Sequence, residues 1–367
     1  MHGLQEQGQM STSDDNPLFQ AVTEGDITTC RQLIQQGCDL DKPGLIRGYN
    51  LKMSPLSQAI RTENIEIVKL LVWAGCDMEA VDSLGSSSLQ LAINHGSAEI
   101  VRALIQGGCN VNRGLNDINF TPLHAACAGS NKDVIQALLE AGANPNEIEL
   151  DYRLTPAFYT SSLDIFKLLV QYGLDINSRS RSGESTLHHA ILSGNPQLVE
   201  FVIGCGVELN HNQVQYKFSA TNYLQLCTTR SPFYLALEEQ RYSFCQLLLQ
   251  HGCDTGFVME KGDALLRILN SGQLDLVMVL VEAAGNYDWT KLVDVGMISY
   301  IVGREIIDQI LEYLTAVSRN PFSLKSLARL TCRRHIQSLS KNKSIWPCIQ
   351  LLPVPNILKR YLCLKII

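Results

Sequence analysis

A glycine returns along this chain at a near-regular interval, each time at the end of a short Leu/Ile/Val-rich run. The positions are Gly37, Gly75, Gly108, Gly142, Gly173, Gly206, Gly252 and Gly285, with gaps of 38, 33, 34, 31, 33, 46 and 33 residues. The runs read LIQQGCDLD, LVWAGCDME, LIQGGCNVN, LLEAGANPN, LVQYGLDIN, VIGCGVELN and LLQHGCD. A glycine after the last helical turn supplies the left-handed residue that ends a helix at a fixed point. Units this short cannot bury an apolar face alone and must stack on their neighbours.

A second signature lies upstream of each glycine: SPLSQAI at 54–60, SSLQLAI at 87–93, TPLHAAC at 121–127, TPAFYTS at 155–161, STLHHAI at 185–191 and SPFYLAL at 231–237. Ser or Thr before Pro is an N-cap followed by proline at the first helical position, where its missing N–H costs nothing. These units resemble ankyrin repeats, whose consensus carries T-P-L-H-x-A in a 33-residue unit. The match covers residues 16–285, about eight repeats, and TPLHAACAGSNKDVIQALLEAGANPNEI at 121–148 is close to a consensus copy. The expected fold is therefore an all-α repeat solenoid of helix-turn-helix units with hairpin loops, behind a flexible segment at 1–15. Two departures stand out. The unit beginning at Thr155 reaches its glycine three residues early, which predicts a clipped turn between its helices. About a dozen extra residues lie within 210–230, and insertions in a solenoid emerge as loops, often on the binding face.

Charge and composition narrow the function. The chain has 30 Lys and Arg against 36 Asp and Glu, a net charge of -6, which argues against a nucleic-acid partner. The first nineteen residues lack the basic start and apolar core of a signal peptide, and no run of 18 uncharged apolar residues marks a membrane span. A cytoplasmic protein is expected, with the nucleus also open to it, and its twelve cysteines are expected as thiols.

Cysteine abundance raises the question of a metal site. Cys38, Cys76, Cys109 and Cys253 follow the repeat glycine in the slot where Ala143 stands, so the slot wants a small buried side chain. Cys332 and His335 stand three apart on an expected helix, with no C-x-x-C nearby to complete four ligands. His124 and His188 hold the fourth position of the T-P-L-H element and are read as structural; His189 has no nucleophile or acid at motif spacing. Nucleotide-loop, nucleophile-elbow and zinc-protease motifs are missing from the sequence. No catalytic residue, metal or cofactor is expected.

Beyond Gly285 the period ends. REIIDQILEYLTAV at 304–317 carries one apolar stripe and reads as a capping helix within a 286–320 linker. NPFS at 320–323 starts a new helix, SLKSLARLTCRRHIQSL, in which Leu324, Ala328 and Cys332 make a ridge beside Leu327. A spacer then leads to LLPVPNILKRYL. Alternating prolines favour a pre-formed polyproline II segment that loses little entropy on docking. This arrangement resembles a three-helix SOCS box over residues 321–367, and the whole chain resembles the ankyrin-repeat and SOCS-box family. The resemblance implies that Leu324, Leu327, Ala328 and Cys332 bind Elongin C, itself paired with Elongin B. Ser323 and Leu324 match the family element, while Ala328 stands where Cys is usual and Cys332 where an aliphatic is usual. Leu352, Pro353, Val354 and Pro355 match the L-P-aliphatic-P element that recruits cullin-5 with its RING-box protein. The family role is that of a substrate receptor in a ubiquitin ligase; a scaffold that sequesters its partner is the alternative. An unidentified protein substrate would be bound by hairpin tips and the concave helix face. Candidate tips are Asp82–Leu84, Asn116–Asn119, Leu150–Arg153 and Arg179–Arg181; Tyr216, Phe218 and Tyr223 are candidates in the insertion.

Overall fold

The computed structural model describes residues 16–46, 51–83, 85–210, 214–218, 224–228 and 231–254, with 267, 268, 273, 276, 279 and 280 beyond them. For residues 46, 214–218 and 224–228 it describes the backbone alone. The expectations for residues 1–15, for the linker helix, and for the segment holding Leu324, Leu327, Ala328, Cys332 and Leu352 to Pro355 lie outside the described residues. Leu84 and Tyr223 lie outside them as well.

The helices follow in pairs: α1 (Pro17–Glu24) and α2 (Ile27–Gln35), α3 (Pro55–Arg61) and α4 (Ile65–Ala74), α5 (Ser88–His95) and α6 (Ala98–Gln106), α7 (Pro122–Gly129) and α8 (Lys132–Glu140). A 3-10 turn at Pro156–Tyr159 then precedes α9 (Leu163–Gln171), and α10 (Thr186–Ser193) with α11 (Pro196–Gly204) and α12 (Pro232–Glu238) with α13 (Tyr242–Gln250) complete the series. Strands β1 (Gly44–Ile46) and β2 (Leu51–Met53) pair antiparallel between the first two repeats. Within the 210–230 insertion β3 (Val214–Phe218) pairs antiparallel with β4 (Leu224–Thr228), Tyr216 opposite Leu226 and Phe218 opposite Leu224.

The chain divides into two units, Met1–Thr160 with Lys167–Leu174, and Ser161–Phe166 with Asp175–Ile367. In the first, α1, α3, α5, α7 and the 3-10 turn stack in one row, and α2, α4, α6 and α8 in another. In the second, α10 packs on α11 and α12, and α13 on α11 and α12. Leu56, Ile67, Leu71, Leu104, Leu123 and Leu138 are wholly buried between rows of the first unit. Among the described residues no helix is long and apolar enough to cross a membrane.

Helix ends lie where the sequence sets them. Asn16, Ser54, Thr121 and Ser231 N-cap helices that begin with proline, and Ser87 and Ser185 N-cap α5 and α10. Gly37, Gly75, Gly108, Gly142, Gly173, Gly206 and Gly252 all have φ between 78° and 92°. At all of them but Gly206, where only the glycine amide is seen to do so, two amides close the last turn: Gly142 N–H donates to Leu139 O at 3.0 Å and Ala143 N–H to Leu138 O at 2.9 Å. One expectation is corrected at Thr155. The inter-helix connection is not shortened but grows from two residues to three; the first helix shrinks by four, from the eight residues of α7 to a four-residue 3-10 turn, and the unit is three residues short in all. A 3-10 turn rises further per residue, which recovers part of the length lost.

The turn after each glycine carries the link between repeats. The Asp or Asn two residues past the glycine accepts from the amide two residues further on, as Asn110 does from Asn112 and Asn144 from Asn146, both at 3.0 Å. That local turn aims the side chain four past the glycine at the next repeat. Asp41 accepts from Asp77 N–H, Glu79 from Asn110 N–H, Asn112 from Asn144 N–H, Asn177 from Glu208 N–H and Asn210 from Asp254 N–H. The same atoms recur at each of these steps, so spacing is set by hydrogen-bond geometry as well as by apolar contact.

A Cβ at Gly142 meets no atom within 4 Å, so Gly142→Ala tests backbone strain alone. Its φ of 89° makes the expected loss about 1–2 kcal/mol. Gly142→Asn is expected to cost less, because Asn tolerates the left-handed region. Urea midpoints of the two variants against the parent check this ranking.

Candidate protein-docking surface

The sequence-expected tip residues occupy four hairpins that differ in what their side chains do. In the first, Asp82 is buried and its Oδ1 accepts the Ser86 amide at 2.9 Å, while Ser83 ties the turn to Lys52. Asp82 thus shapes its own turn. In the last, Arg179 pairs with Glu208 at 2.6 Å and donates to Gly183 O at 3.5 Å, so Glu208 balances its charge. Arg181 beside it is exposed.

The two middle hairpins are joined to each other. Asn116 Oδ1 accepts from Phe120 N–H at 3.0 Å, and Leu115 N–H donates to Phe120 O at 2.8 Å. Asn119 sits at φ 58° and sends its amide group across to Glu147 Oε1 at 3.0 Å and Ile148 O at 3.3 Å. Leu150 N–H returns to Ile118 O at 2.7 Å. Inside the second hairpin the fully buried Glu149 carboxylate accepts three amides: Asp151 at 2.7 Å, Tyr152 at 2.8 Å and Leu154 at 3.1 Å. These charge-assisted bonds offset the cost of removing a carboxylate from water. They hold Arg153 at φ 58°, exposed. Sequence reasoning missed Glu149; its only trace is an acidic residue just ahead of the Asp-Tyr-Arg turn.

His124 anchors this pair of hairpins to α7. Its Nδ1 accepts from Thr121 N–H at 3.2 Å, which leaves the proton on Nε2 to donate to Leu154 O at 3.0 Å. The ring stacks at a tilt on Phe120 and edge-on to Tyr159, centroids 5.2 and 5.6 Å apart. His188 repeats the capping geometry, its Nδ1 3.1 Å from Ser185 N. Next to Phe120 an open groove of about 470 Å³ runs between α5 and α7, with Ile93, Asn94, Ala125 and Ala128 in its lining. The expected helix-row surface and tip surface therefore meet at Phe120. Tyr216 and Phe218 lie on β3, with only their backbone positions described.

The cysteines of the post-glycine slot are held as thiols. Burial pushes Cys76 up to about 12 and Cys109 up to about 11, and it raises Cys253 further. Cys127 in α7 is likewise raised to about 12 by burial. A thiolate is the form that ligates metal or attacks an electrophile, so these positions are chemically quiet near neutrality. Among the described residues no three His, Cys, Asp or Glu side chains converge as a metal site.

Burial lowers the His124 pKa below its usual value, opposed in part by its bond to Leu154 and by Glu149 and Glu147. A depressed folded pKa means that the unfolded chain takes up the proton first. The stability His124 contributes is thus full above the unfolded value, about 6.5, and is lost as pH falls through the folded one. Denaturation midpoints measured from pH 7.5 to 5 are expected to fall more steeply for the parent than for His124→Gln.

Comparison with known proteins bears on both ends of the chain. Ankyrin-repeat family models match residues 3–82, 56–149 and 154–203, and a SOCS-box model matches residues 320–363. An ankyrin repeat protein of Acanthamoeba polyphaga mimivirus is 41% identical over 46 residues, which are 12% of this chain and only 6% of that protein. Among solved structures, the ankyrin repeat domain of Bcl-3, described as a unique member of the IkappaB protein family, aligns at 28% identity and a TM-score of 0.49, over 60% of this chain and 93% of that one. The ankyrin and SOCS-box matches together take in more than half of the 367 residues, and the chain belongs to the ankyrin-repeat and SOCS-box family.

Proposed function

We propose that this chain is the substrate-recognition subunit of an Elongin B/C–cullin-5–RING ubiquitin ligase. The observation that carries this role is the SOCS-box match at 320–363, downstream of the ankyrin repeats. Leu324, Leu327, Ala328 and Cys332 would face the Elongin C groove. Leu352, Pro353, Val354 and Pro355 would meet cullin-5 with its RING-box protein. The repeats would hold the target protein, which is then ubiquitylated and degraded.

The chain's contribution to rate is proximity. Tethering the target raises the local concentration of its lysines near the ubiquitin thioester carried by the RING-bound enzyme. No side chain of the receptor has to touch the bond being made. Rigid repeats suit that task, because the gain from tethering is lost when the geometry forbids simultaneous engagement. Such a receptor acts in the cytoplasm or nucleus and takes no cofactor.

A pull-down with purified Elongin B/C and cullin-5 tests this. The parent chain is expected to capture both. Leu324→Pro with Cys332→Pro is expected to lose both, and Pro353→Ala with Pro355→Ala to lose cullin-5 alone. A parent chain that captures neither partner would overturn the ligase role and leave an ankyrin scaffold in which Ala328 has disabled the box.

A further inference from the structure

Leu150 and Tyr152 are 53% and 66% exposed, although both sit on the most heavily cross-bonded turn among the described hairpins. Exposed apolar side chains on a floppy loop are ordinary. Here the loop is not floppy. Glu149 fixes three of its amides, Asn119 and Leu150 lock it to the preceding hairpin, and His124 holds Leu154 at its base. A Tyr and a Leu held out on a rigid turn lose little further freedom on binding, and aromatic anchors of this kind dominate interface energies.

The surroundings set the chemistry of the partner. Residues 115–120 and 147–154 carry four carboxylates, Asp117, Glu147, Glu149 and Asp151, against one guanidinium, Arg153. Asp117 and Asp151 are exposed. The nearby Arg113 does not balance them, because it pairs with Glu79 at 2.6 Å. Phe120 continues the apolar surface from these tips into the groove between α5 and α7. The other described tips offer no such combination: Asp82 is turned into its own hairpin, and Arg179 is matched by Glu208.

We propose that the joined hairpins 115–120 and 147–154 are the target-docking surface, and that they take a basic peptide segment bearing a large apolar side chain. Lys or Arg of the segment meets Asp117 and Asp151, and its apolar residue packs on Tyr152 and Leu150 with the chain running toward Phe120. This deepens the receptor role for the identity of the target, while the binding chemistry stands on the hairpins themselves.

The test pans a random 15-residue peptide library against the full chain bound to Elongin B/C, or against the full chain alone where Elongin capture has failed. Enriched peptides are expected to combine two or more Lys or Arg with Leu, Phe or Trp. Their affinity is expected to drop about tenfold or more in Leu150→Ala with Tyr152→Ala. It is also expected to drop in Asp117→Lys with Asp151→Lys, and between 50 and 500 mM salt. Trp73→Ala removes an exposed aromatic on α4, away from these hairpins, and is expected to leave binding unchanged. Unshifted thermal midpoints and Elongin B/C capture on the same samples show that the variants are folded. Acidic or uncharged winners, no winners, or binding indifferent to both double variants would overturn the docking surface. Loss of Elongin capture alone would instead count against the ligase role.

Discussion

The hydrogen bond from one hairpin amide to the side-chain oxygen of the hairpin before it is the interaction on which the repeats depend. Apolar burial brings helices together, but it is non-directional and fixes neither spacing nor register. Five such bonds at equivalent positions, from Asp41–Asp77 to Asn210–Asp254, fix both within the described residues. Each follows a glycine at φ 78–92° that reverses the chain at the same point, and after Gly37, Gly75, Gly108 and Gly173 an Asp or Asn turn then sets the acceptor. A single backbone conformation per repeat thus sets helix end, turn geometry and inter-repeat distance together.

The same economy appears in the T-P-L-H element. His124 satisfies the open amide at the start of α7 with one ring nitrogen and a carbonyl of the next repeat with the other. That carbonyl belongs to Leu154, whose amide in turn reaches Glu149. A short path of hydrogen bonds therefore runs from a helix N-terminus through a histidine to the exposed turn that Glu149 closes. The same atoms hold both the start of α7 and the shape of the proposed docking turn.

How much was legible in the sequence differs by level. The capping glycines from Gly37 to Gly252 and the Ser/Thr-Pro starts are local, carry fixed backbone demands, and lay where their residue types required; Gly285 lies outside the described residues. The Thr155 unit was legible as three residues short, but not in which element; the first helix yielded, because a 3-10 turn accommodates the loss that a two-residue connection cannot. The tips were legible as positions and not as roles. Asp82 and Arg179 are spent on Ser86 and Glu208, and Glu149 organises a turn through three amides without any motif to announce it. Side-chain direction at a tip depends on the neighbouring repeat, and that information is spread over some thirty residues. The SOCS box was legible from the pattern over residues 321–367, and a SOCS-box match at 320–363 bears out that family.

The proposed receptor role divides labour along the chain: the repeats would present a face to a target, and the box at 320–363 would dock to the ligase core. Hydrogen–deuterium exchange of the full chain with and without Elongin B/C tests that division most directly. The account predicts that new protection on adding Elongin B/C is confined to residues 320–363, with the hairpins at 115–120 and 147–154 unchanged. Protection spread through the repeats, or none in the box, would contradict it.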